Sequence, residues 1–482
     1  MTERLRSGDR AFFDIESPTT PMHNATLEIF EPPVEGFTYE QLVALVADRL
    51  AFVPRYRQRL QSVAGGLAAP VWVDDERFDL SYHIRQSAVP SPGSMEQLRN
   101  LVSRIIPREL DRNRPLWEMY FIEGLAEGRF AILVKSHQTL VDGIGTIDLG
   151  QVILDVDTKK RDTVFDDWTP RRSPAKPLLL VEALGEALKT PPMTPRQVLG
   201  GLESAVRQTG PLGRRYLDLL TNRRAAPESP INVELSQQRL FSTVRTELED
   251  YRKVRRAHGG TVNDVILATI TGGLRNWLMT RAESVSSSAS LRAMVPMSVI
   301  DGDLEPTSLG SQVTGHLLSL PIGEGSPVVR LHQVSYALKA HKETGGAVSA
   351  TRLLHVAGFA PTTFHALGSR VAAASSPRTF NLVVTNVPGP QFPLYAAGAQ
   401  MIESYPVQPL LPGHALAVGV TSYDGSVYFG LNADRDALPD VDVLGQCIKE
   451  ALAELVDSAS PSRPRAPRGR KKPAMPTKRA TK

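Results

Sequence analysis

One histidine stands at the point where a buried strand is expected to end. Residues 130–134 form an unbroken apolar run after a Glu-Gly turn, a pattern that predicts a buried strand. Polar residues follow, among them His137 and Gln138, and then Asp142 and Gly143. Because the strand fixes the backbone while the loop exposes the imidazole, His137 is a candidate for proton transfer. Histidine suits this role, since its unperturbed pKa lies near neutrality.

A second strand is expected beside the first. Trp117, Met119 and Phe121 alternate with their neighbours directly after a proline, which predicts a strand with one face in the core. The turn residues at 124–128 then connect this strand to the run at 130–134. The sequence therefore predicts a hairpin that holds His137 at one end.

Two helix starts carry the capping-box pattern. Thr38 and Gln41 have the spacing in which each side chain bonds to the backbone of the other. Thr261 and Asp264 repeat this spacing, with Asn263 between them. The pair Asn263–Asp264 has two interpretations at this point: it belongs to a plain capping box, or it contributes to a functional site.

The second half contains another strand that ends in a rigid turn. Residues 380–387 are largely apolar, and Asn386 stands near their end, before the turn Pro388–Gly389–Pro390. A hairpin is expected further on, at residues 422–431, around an Asp-Gly pair. These alternating strand and helix signals favour a mixed α/β fold.

Composition limits the possible classes. The chain has 482 residues, enough for two domains, and 41% apolar with 22% charged residues is ordinary for a soluble protein. We expect neither a membrane-spanning helix nor a secretory signal, because the chain has no apolar run of that length and its first residues are polar. The single cysteine, Cys447, excludes an internal disulfide and fits a reducing compartment. It lies on an apolar helical stripe and is expected in the core.

The positive charge is confined to the end of the chain. Residues 458–482 contain nine Lys or Arg and no acidic residue. Removing these nine charges from the net charge of +4 leaves −5 for the rest. The segment is also rich in proline, so we expect a disordered basic tail. Such a tail has three interpretations: a contact with anionic lipid, non-specific nucleic-acid binding, or a solvated terminus.

Several of these stretches together resemble a known family. The heptad from His137 to Gly143, HQTLVDG, resembles the HHxxxDG motif of CoA-dependent acyltransferases. The PLWE stretch ending at Glu118, the pair Asn263–Asp264 and the NVPGP stretch at residues 386–390 occur in the order found in the bacterial wax ester synthase/diacylglycerol acyltransferase family. The resemblance extends from about residue 9 to residue 455 and leaves out the basic tail.

The resemblance implies an α/β fold of two domains similar to chloramphenicol acetyltransferase, with a channel between them. On this basis we divide the chain into four parts. These are an N-terminal domain with the HQTLVDG motif (1–156), a partly helical, Pro- and Arg-rich crossover (157–233), a C-terminal domain with the NVPGP motif (234–457) and the basic tail (458–482).

The resemblance also implies a reaction. A hydroxyl of diacylglycerol or of a long-chain alcohol attacks the thioester of acyl-CoA, and triacylglycerol or wax ester forms. The motif residues His137, Gln138, Asp142 and Gly143 would form the catalytic region, with Asp142 supporting the loop. Gln138, however, replaces the second histidine, which is the family's assigned base, and an amide has no useful basicity near neutral pH.

This replacement leaves two hypotheses. In the first, the chain is an acyltransferase with weakened activity, or with His137 or another group as the base. In the second, it is a non-catalytic relative that binds acyl-CoA, neutral lipid or a partner protein. If the strand continues through residue 138, His137 and Gln138 point to opposite faces of the sheet. A His137 side chain that points into the interdomain channel would favour the enzyme, and one that packs behind the strand would favour the non-catalytic binder.

The remaining expectations concern binding and location. The resemblance implies that Asn263, Asp264, Asn386, Pro388 and Gly389 contact substrate. We expect no cofactor besides acyl-CoA as co-substrate, no metal, because the histidines lack metal-ligand spacing, and no specific nucleic acid. The expected partners are acyl-CoA, the acceptor alcohol and a membrane or lipid-droplet surface. The expected location is the cytoplasm, with peripheral attachment to that surface.

Overall fold

Two six-stranded sheets form the framework of the protein. The structure is a computed structural model that describes residues 3–5, 12–13, 15–63, 69–140, 149–159, 166–174, 225–298, 313–345 and 379–460. The strands are β1 (His23–Glu31), β2 (Gln58–Gln61), β3 (Val71–Asp74), β4 (Ile84–Ala88), β5 (Trp117–Glu123), β6 (Phe130–His137), β7 (Arg239–Glu247), β8 (Leu291–Ser298), β9 (Val313–Leu320), β10 (Leu382–Pro388), β11 (Tyr395–Ala396), β12 (Ala399–Val407), β13 (Leu416–Tyr423) and β14 (Ser426–Asp434).

Eight α-helical segments accompany the sheets in the described part of the chain. They are α1 (Tyr39–Arg49), α2 (Leu80–His83), α3 (Met95–Ile105), α4 (Leu149–Val152), α5 (Leu248–His258), α6 (Val262–Thr280), α7 (Pro327–Gly345) and α8 (Val441–Ser458). Short 3₁₀ turns occur at Leu50–Phe52, Pro54–Arg57, Ala126–Gly128 and Gln138–Leu140. The last of these follows β6 directly and carries Gln138.

Both large sheets mix parallel and antiparallel pairs. The first has the order β11-β12-β1-β6-β5-β4 and the second the order β7-β14-β13-β10-β8-β9. In the first sheet, β4 and β5 are parallel and α3 lies between them in the chain, which makes a βαβ unit. The predicted α/β class is confirmed, with one hydrophobic core around each sheet.

The predicted C-terminal domain contributes strands to both sheets. Strand β12 comes from the predicted C-terminal domain, yet it pairs antiparallel with β1 in the first sheet. Arg239 adds a second connection, because its guanidinium donates to the carbonyl oxygen of Thr19 and lies 3.3 Å from Asp434 Oδ2. The predicted C-terminal domain, 234–457, therefore completes the first sheet as well as forming the second. Most of the predicted crossover and the tail beyond residue 460 lie outside the described residues.

Local signals in the sequence match the elements well. Both capping boxes are present, at Thr38 with Gln41 and at Thr261 with Asp264. The hairpin of β5 and β6 and that of β13 and β14 are confirmed. Cys447 is buried on α8, as expected.

Two glycines allow helices α6 and α8 to pack closely. A Cβ at Gly273 would lie 2.5 Å from Cγ1 of Ile448 and 2.9 Å from its Cα. A Cβ at Gly272 would lie 2.8 Å from the Cβ of Ala451. Side chains at these positions would separate the helices, which explains glycine inside a long helix despite its low helix propensity.

Candidate active site

Strand β6 and the turn after it hold His137 and Gln138 in the interior of the protein. All eight of its residues are buried, and it pairs with β1 on one side and β5 on the other. The register places His137 opposite His23. The strand ends there because Gln138 turns into the 3₁₀ segment, while its backbone N–H still donates to the carbonyl oxygen of Met22 at 2.9 Å. The strand therefore fixes both motif residues against the start of β1.

His137 is held by the turn that follows it. The backbone N–H of Thr139 donates to His137 Nδ1 at 3.1 Å, and the Thr139 hydroxyl lies 2.8 Å from the same nitrogen. A ring nitrogen that accepts a hydrogen bond carries no proton, so the neutral imidazole has its proton on Nε2. The ring is 1% exposed and stacks on Phe13 at 4.7 Å between centroids.

A buried carboxylate faces the other side of this ring. Glu16 Oε1 lies 3.5 Å from His137 Nε2 and 3.5 Å from His23 Nε2. Burial alone would raise the pKa of Glu16, but the two imidazoles lower it below its ordinary value. Burial lowers the pKa of His23 to about 3, although Glu16 opposes the change. At physiological pH the cluster is thus a carboxylate beside a neutral His23.

This cluster is not arranged as a metal centre. In the part of the chain that the structure describes, no group of three or more His, Cys, Asp or Glu residues could hold a metal ion. Both Glu16 oxygens already have donors: the Met22 N–H lies 3.2 Å from Oε1, and Arg112 Nη2 lies 2.5 Å from Oε2. The carboxylate therefore acts locally, by linking the loop before β1 to the end of β6.

Gln138 contacts different side chains from His137. Its Nε2 donates to Asn24 Oδ1 at 2.8 Å, and both side chains are buried. His137 contacts His23, whereas Gln138 contacts Asn24, the next residue along β1. The two motif residues therefore have different surroundings. Strand β6 ends at His137 and Gln138 begins the 3₁₀ turn, so the condition for opposite faces, a strand that continues through residue 138, is not met.

Asp142 and Gly143 lie outside the described residues. Their predicted catalytic and supporting roles stay predictions.

The predicted substrate-binding residues of the second half separate into two groups. Asn386 Nδ2 donates to Asn263 Oδ1 at 2.7 Å, so β10 and the start of α6 meet at these side chains. Asp264 accepts from the Thr261 backbone and hydroxyl and from the Ser335 hydroxyl at 2.9 Å. Its oxygens serve the helix cap and a link to α7, which is the capping-box interpretation.

Pro388 and Gly389 terminate β10. Pro388 is paired with Ser422 in the register of β10 and β13, and the Gly389 N–H donates to the Ser422 hydroxyl at 3.2 Å. These contacts fix the direction in which the chain leaves the strand. A role in substrate binding stays a prediction for both residues.

A small cavity lies where the two halves of the chain meet. Residues of both halves line it: Pro21, His23, Ala25, Ile106, Pro107, Lys135, Arg239, Val407, Pro409, Leu410 and Asn432. Burial lowers the pKa of Lys135 in its wall to about 8, and nearby Glu118 opposes this effect. Its ammonium donates to the carbonyl oxygens of Ile105 and Arg108. The predicted channel between the domains stays a prediction.

Sequence reasoning did not identify Glu16, His23 or Asn24 as site residues. His23 and Asn24 come next to the motif through the pairing of β1 with β6, which joins residues more than 100 positions apart, and Glu16 lies in the segment before β1. The sequence carries no signal for them, since the alternation in HNATLEIF is the pattern of a strand with one face in solvent.

Comparison with protein families supports the resemblance over most of the chain. Residues 5–266 match the model of the wax ester synthase/diacylglycerol acyltransferase catalytic domain. Residues 309–456 match the model of the C-terminal domain of the same family.

Curated relatives agree with this match. A probable diacylglycerol O-acyltransferase of Mycobacterium tuberculosis, tgs3, is 43% identical over 262 residues, which cover 53% of this chain and 96% of the relative. A second one from the same organism, tgs2, is 33% identical over 460 residues, which cover 94% of this chain and 98% of the relative. The hypothesis of a non-catalytic binder finds no support in these comparisons.

Solved structures show the same fold. A wax ester synthase/diacylglycerol acyltransferase from Marinobacter aquaeolei VT8 superimposes with a TM-score of 0.66 at 28% identity, covering 95% of this chain and 99% of the other. The first condensation domain of the CDA synthetase superimposes with a TM-score of 0.57 at 12% identity, covering 95% and 97%. The second likeness concerns the fold alone.

Proposed function

Because the chain belongs to the wax ester synthase/diacylglycerol acyltransferase family, we propose that it transfers a long-chain acyl group from acyl-CoA to the hydroxyl of a diacylglycerol or a long-chain alcohol. It is an enzyme of the acyltransferase type. The observation that carries the proposal is the position of Gln138. This residue occupies the family's motif site at the end of β6, buried and hydrogen-bonded to Asn24.

The reaction exchanges one acyl bond for another. The hydroxyl oxygen attacks the thioester carbon, the C–S bond breaks and an ester C–O bond forms. The hydroxyl proton ends on the sulfur of CoA, so the products are the ester and the free thiol. No cofactor besides the co-substrate acyl-CoA enters this balance.

Gln138 positions the hydroxyl and takes no proton. Its amide oxygen can accept a hydrogen bond from the attacking hydroxyl, but an amide is not a base near neutral pH. General-base catalysis contributes roughly 10²–10⁴-fold to such reactions. The remaining rate enhancement comes from holding alcohol and thioester together. We therefore infer slow turnover for this enzyme.

The hydrogen bonds around His137 argue against its use as the base. Its Nδ1 accepts from Thr139, and its Nε2 carries the proton and faces Glu16. Neither nitrogen offers a free lone pair to a substrate hydroxyl. We assign His137 a positioning role, in which it fixes the turn that presents Gln138. Asp142 would support the same loop.

Further contacts come from the second half. Asn263 and Asn386 are partly exposed and share one hydrogen bond, so each keeps hydrogen-bonding capacity for a ligand. We assign them to substrate binding, with Pro388 and Gly389 shaping the backbone beside them. Asp264 contributes by capping α6.

The proposed substrates are lipids, which favours a position of the enzyme at a lipid surface. No helix of the described residues is long and apolar enough to cross a bilayer. We propose cytoplasmic location with peripheral attachment to a membrane or lipid droplet, through the basic segment at 458–482. Each Lys or Arg near an anionic surface contributes about 1 kcal/mol to such binding. Nucleic acid is not a specific partner in this proposal.

Product formation tests the proposed activity. Purified protein is incubated with palmitoyl-CoA and either dioleoylglycerol or hexadecanol, and esters and free CoA are quantified. We expect triacylglycerol or wax ester in amounts equal to the CoA released. CoA release without ester, or neither product, would overturn the assignment as an acyl transferase.

His137→Ala separates the two possible roles of that residue. If His137 only positions the turn, the variant lowers kcat but leaves the shape of the pH–rate profile unchanged. If it is the base, the variant changes the shape of that profile. Thr139→Val is the matched control, because it keeps the backbone N–H that bonds to Nδ1.

A further inference from the structure

One face of β1 is polar although it is buried. Asn24, Thr26 and Glu28 alternate along this face, and their side chains are 4%, 6% and 5% exposed. The opposite face carries Ala25, Leu27 and Ile29, as expected for a core strand. Burying polar groups costs free energy unless they are hydrogen-bonded. A row of them therefore requires partners.

Near the start of β1, where Gln138 meets this row, three side-chain atoms lack hydrogen-bond partners in the described structure. Within the described residues, Gln138 Oε1, Asn24 Nδ2 and Thr26 Oγ1 are buried and make no hydrogen bond. The pair Gln138–Asn24 uses one donor and one acceptor internally, which leaves one acceptor and one donor. Rotating both amides by 180° gives the same balance, since the roles of the two residues are only exchanged.

We propose that Gln138, Asn24 and Thr26 bind the polar end of the acceptor lipid, and that they select a diacylglycerol over a simple alcohol. The hydroxyl donates to one amide of the Gln138–Asn24 pair and accepts from the other. The Thr26 hydroxyl donates to an ester carbonyl of the same lipid. This inference rests on the proposed function and names the acceptor class.

The geometry of a strand fits this ligand. Residues two apart on one face are separated by about 7 Å, so Asn24 and Thr26 present their groups at that spacing. In a diacylglycerol the ester carbonyls stand a few bonds from the free hydroxyl. A fatty alcohol has only methylene groups there and would leave Thr26 without a partner. A thioester carbonyl only accepts, so it would leave the amide acceptor unpaired.

Binding without turnover tests the hydroxyl contact. Calorimetric titration compares 1,2-dioctanoylglycerol with its methyl ether, which cannot donate a hydrogen bond. In the wild type we expect the free hydroxyl compound to bind about tenfold tighter, because the ether leaves a buried acceptor unpaired. In Gln138→Leu this difference should disappear. Equal affinities of the two compounds for the wild type would overturn the proposal, even if the variant does not fold.

Thr26→Val tests the ester contact. Valine keeps the shape of threonine and removes its hydroxyl, so binding of dioctanoylglycerol should weaken several-fold while decanol binding stays the same. Thr269→Val is the control, since the Thr269 hydroxyl is also buried without a partner in the described structure but lies on α6. If Thr26→Val changes the affinity for dioctanoylglycerol no more than Thr269→Val does, the row does not select the acceptor. The same holds if Thr26→Val weakens the binding of dioctanoylglycerol and decanol equally.

The two proposals fail in different ways. Discrimination between dioctanoylglycerol and its ether, without ester formation from palmitoyl-CoA, would refute the acyl transfer and support the binding row. Ester formation without that discrimination would support the transfer and refute the row.

Discussion

At the scale of single residues, Gln138 and His137 show how adjacent positions acquire unrelated roles. His137, the last residue of β6, faces Glu16 and His23, whereas Gln138, the first residue of the following 3₁₀ turn, bonds to Asn24. The group around His137 contains the charged Glu16 carboxylate and fixes the tautomer of the His137 ring. The second is an uncharged amide pair, which can orient a hydroxyl but cannot remove its proton. The chemistry of the site follows from that separation.

His23 gives a prediction about stability and pH. Its pKa is lowered to about 3 in the folded protein, so the unfolded chain binds more protons between pH 6.5 and 3. Its contribution to stability is therefore present above pH 6.5 and is lost as pH falls. From pH 7 to 5 the free energy of unfolding should drop by about 2 kcal/mol through this residue.

Urea unfolding at both pH values measures this effect in the wild type and in His23→Gln. The variant should lose much less stability on acidification. Nearby Glu16 contributes little in this range, because its unfolded pKa lies lower. An equal loss in both proteins would show that His23 is not the group responsible.

At the scale of elements, the site depends on β1 as much as on β6. The HQTLVDG motif is a continuous stretch, and its strand, hairpin and following turn are readable from local pattern. The partners His23 and Asn24 are brought to it by antiparallel pairing across 114 positions, and Glu16 lies in the segment before β1. Pairing with a distant strand leaves no periodic signal at the motif. The motif could therefore be predicted from the sequence, but the side chains that surround it could not.

Helix packing gives a second prediction. Gly273→Ala should destabilise the protein by about 1–3 kcal/mol, because the added methyl meets both the side chain and the backbone of Ile448. Thermal unfolding measures the change. Gly325→Ala serves as control, since its nearest neighbour is 3.8 Å away. If the two variants are equally stable, the close approach of α6 and α8 does not depend on that glycine.

At the scale of the whole molecule, the two halves are joined by shared elements. Strand β12 completes the first sheet, and Arg239 bridges Thr19 and Asp434. The predicted segments 1–156 and 234–457 therefore share the first sheet, and a segment boundary carries no information about which sheet a later strand joins. Within each half, alternation and capping patterns predicted the hairpins of β5 with β6 and of β13 with β14 and the starts of α1 and α6.

The basic tail gives a prediction at this scale. Helix α8 ends at Ser458, so removing residues 461–482 leaves the described fold intact and deletes nine positive charges. We expect weaker binding to liposomes containing phosphatidylserine at low salt, measured by co-sedimentation, and no change with neutral liposomes. Unchanged binding to the anionic liposomes would exclude the tail as the attachment site.

The most direct measurement of the central claim is kcat for ester formation by the wild type and by Gln138→His. A histidine at residue 138 places an imidazole, which can act as a base near neutral pH, where the wild type has an amide. We predict slow triacylglycerol synthesis by the wild type and an increase of roughly 10²–10⁴-fold in the variant. Gln138→Leu, which removes the amide without adding a base, should show no gain. A folded Gln138→His no faster than the wild type would contradict the claim that the site lacks only its base.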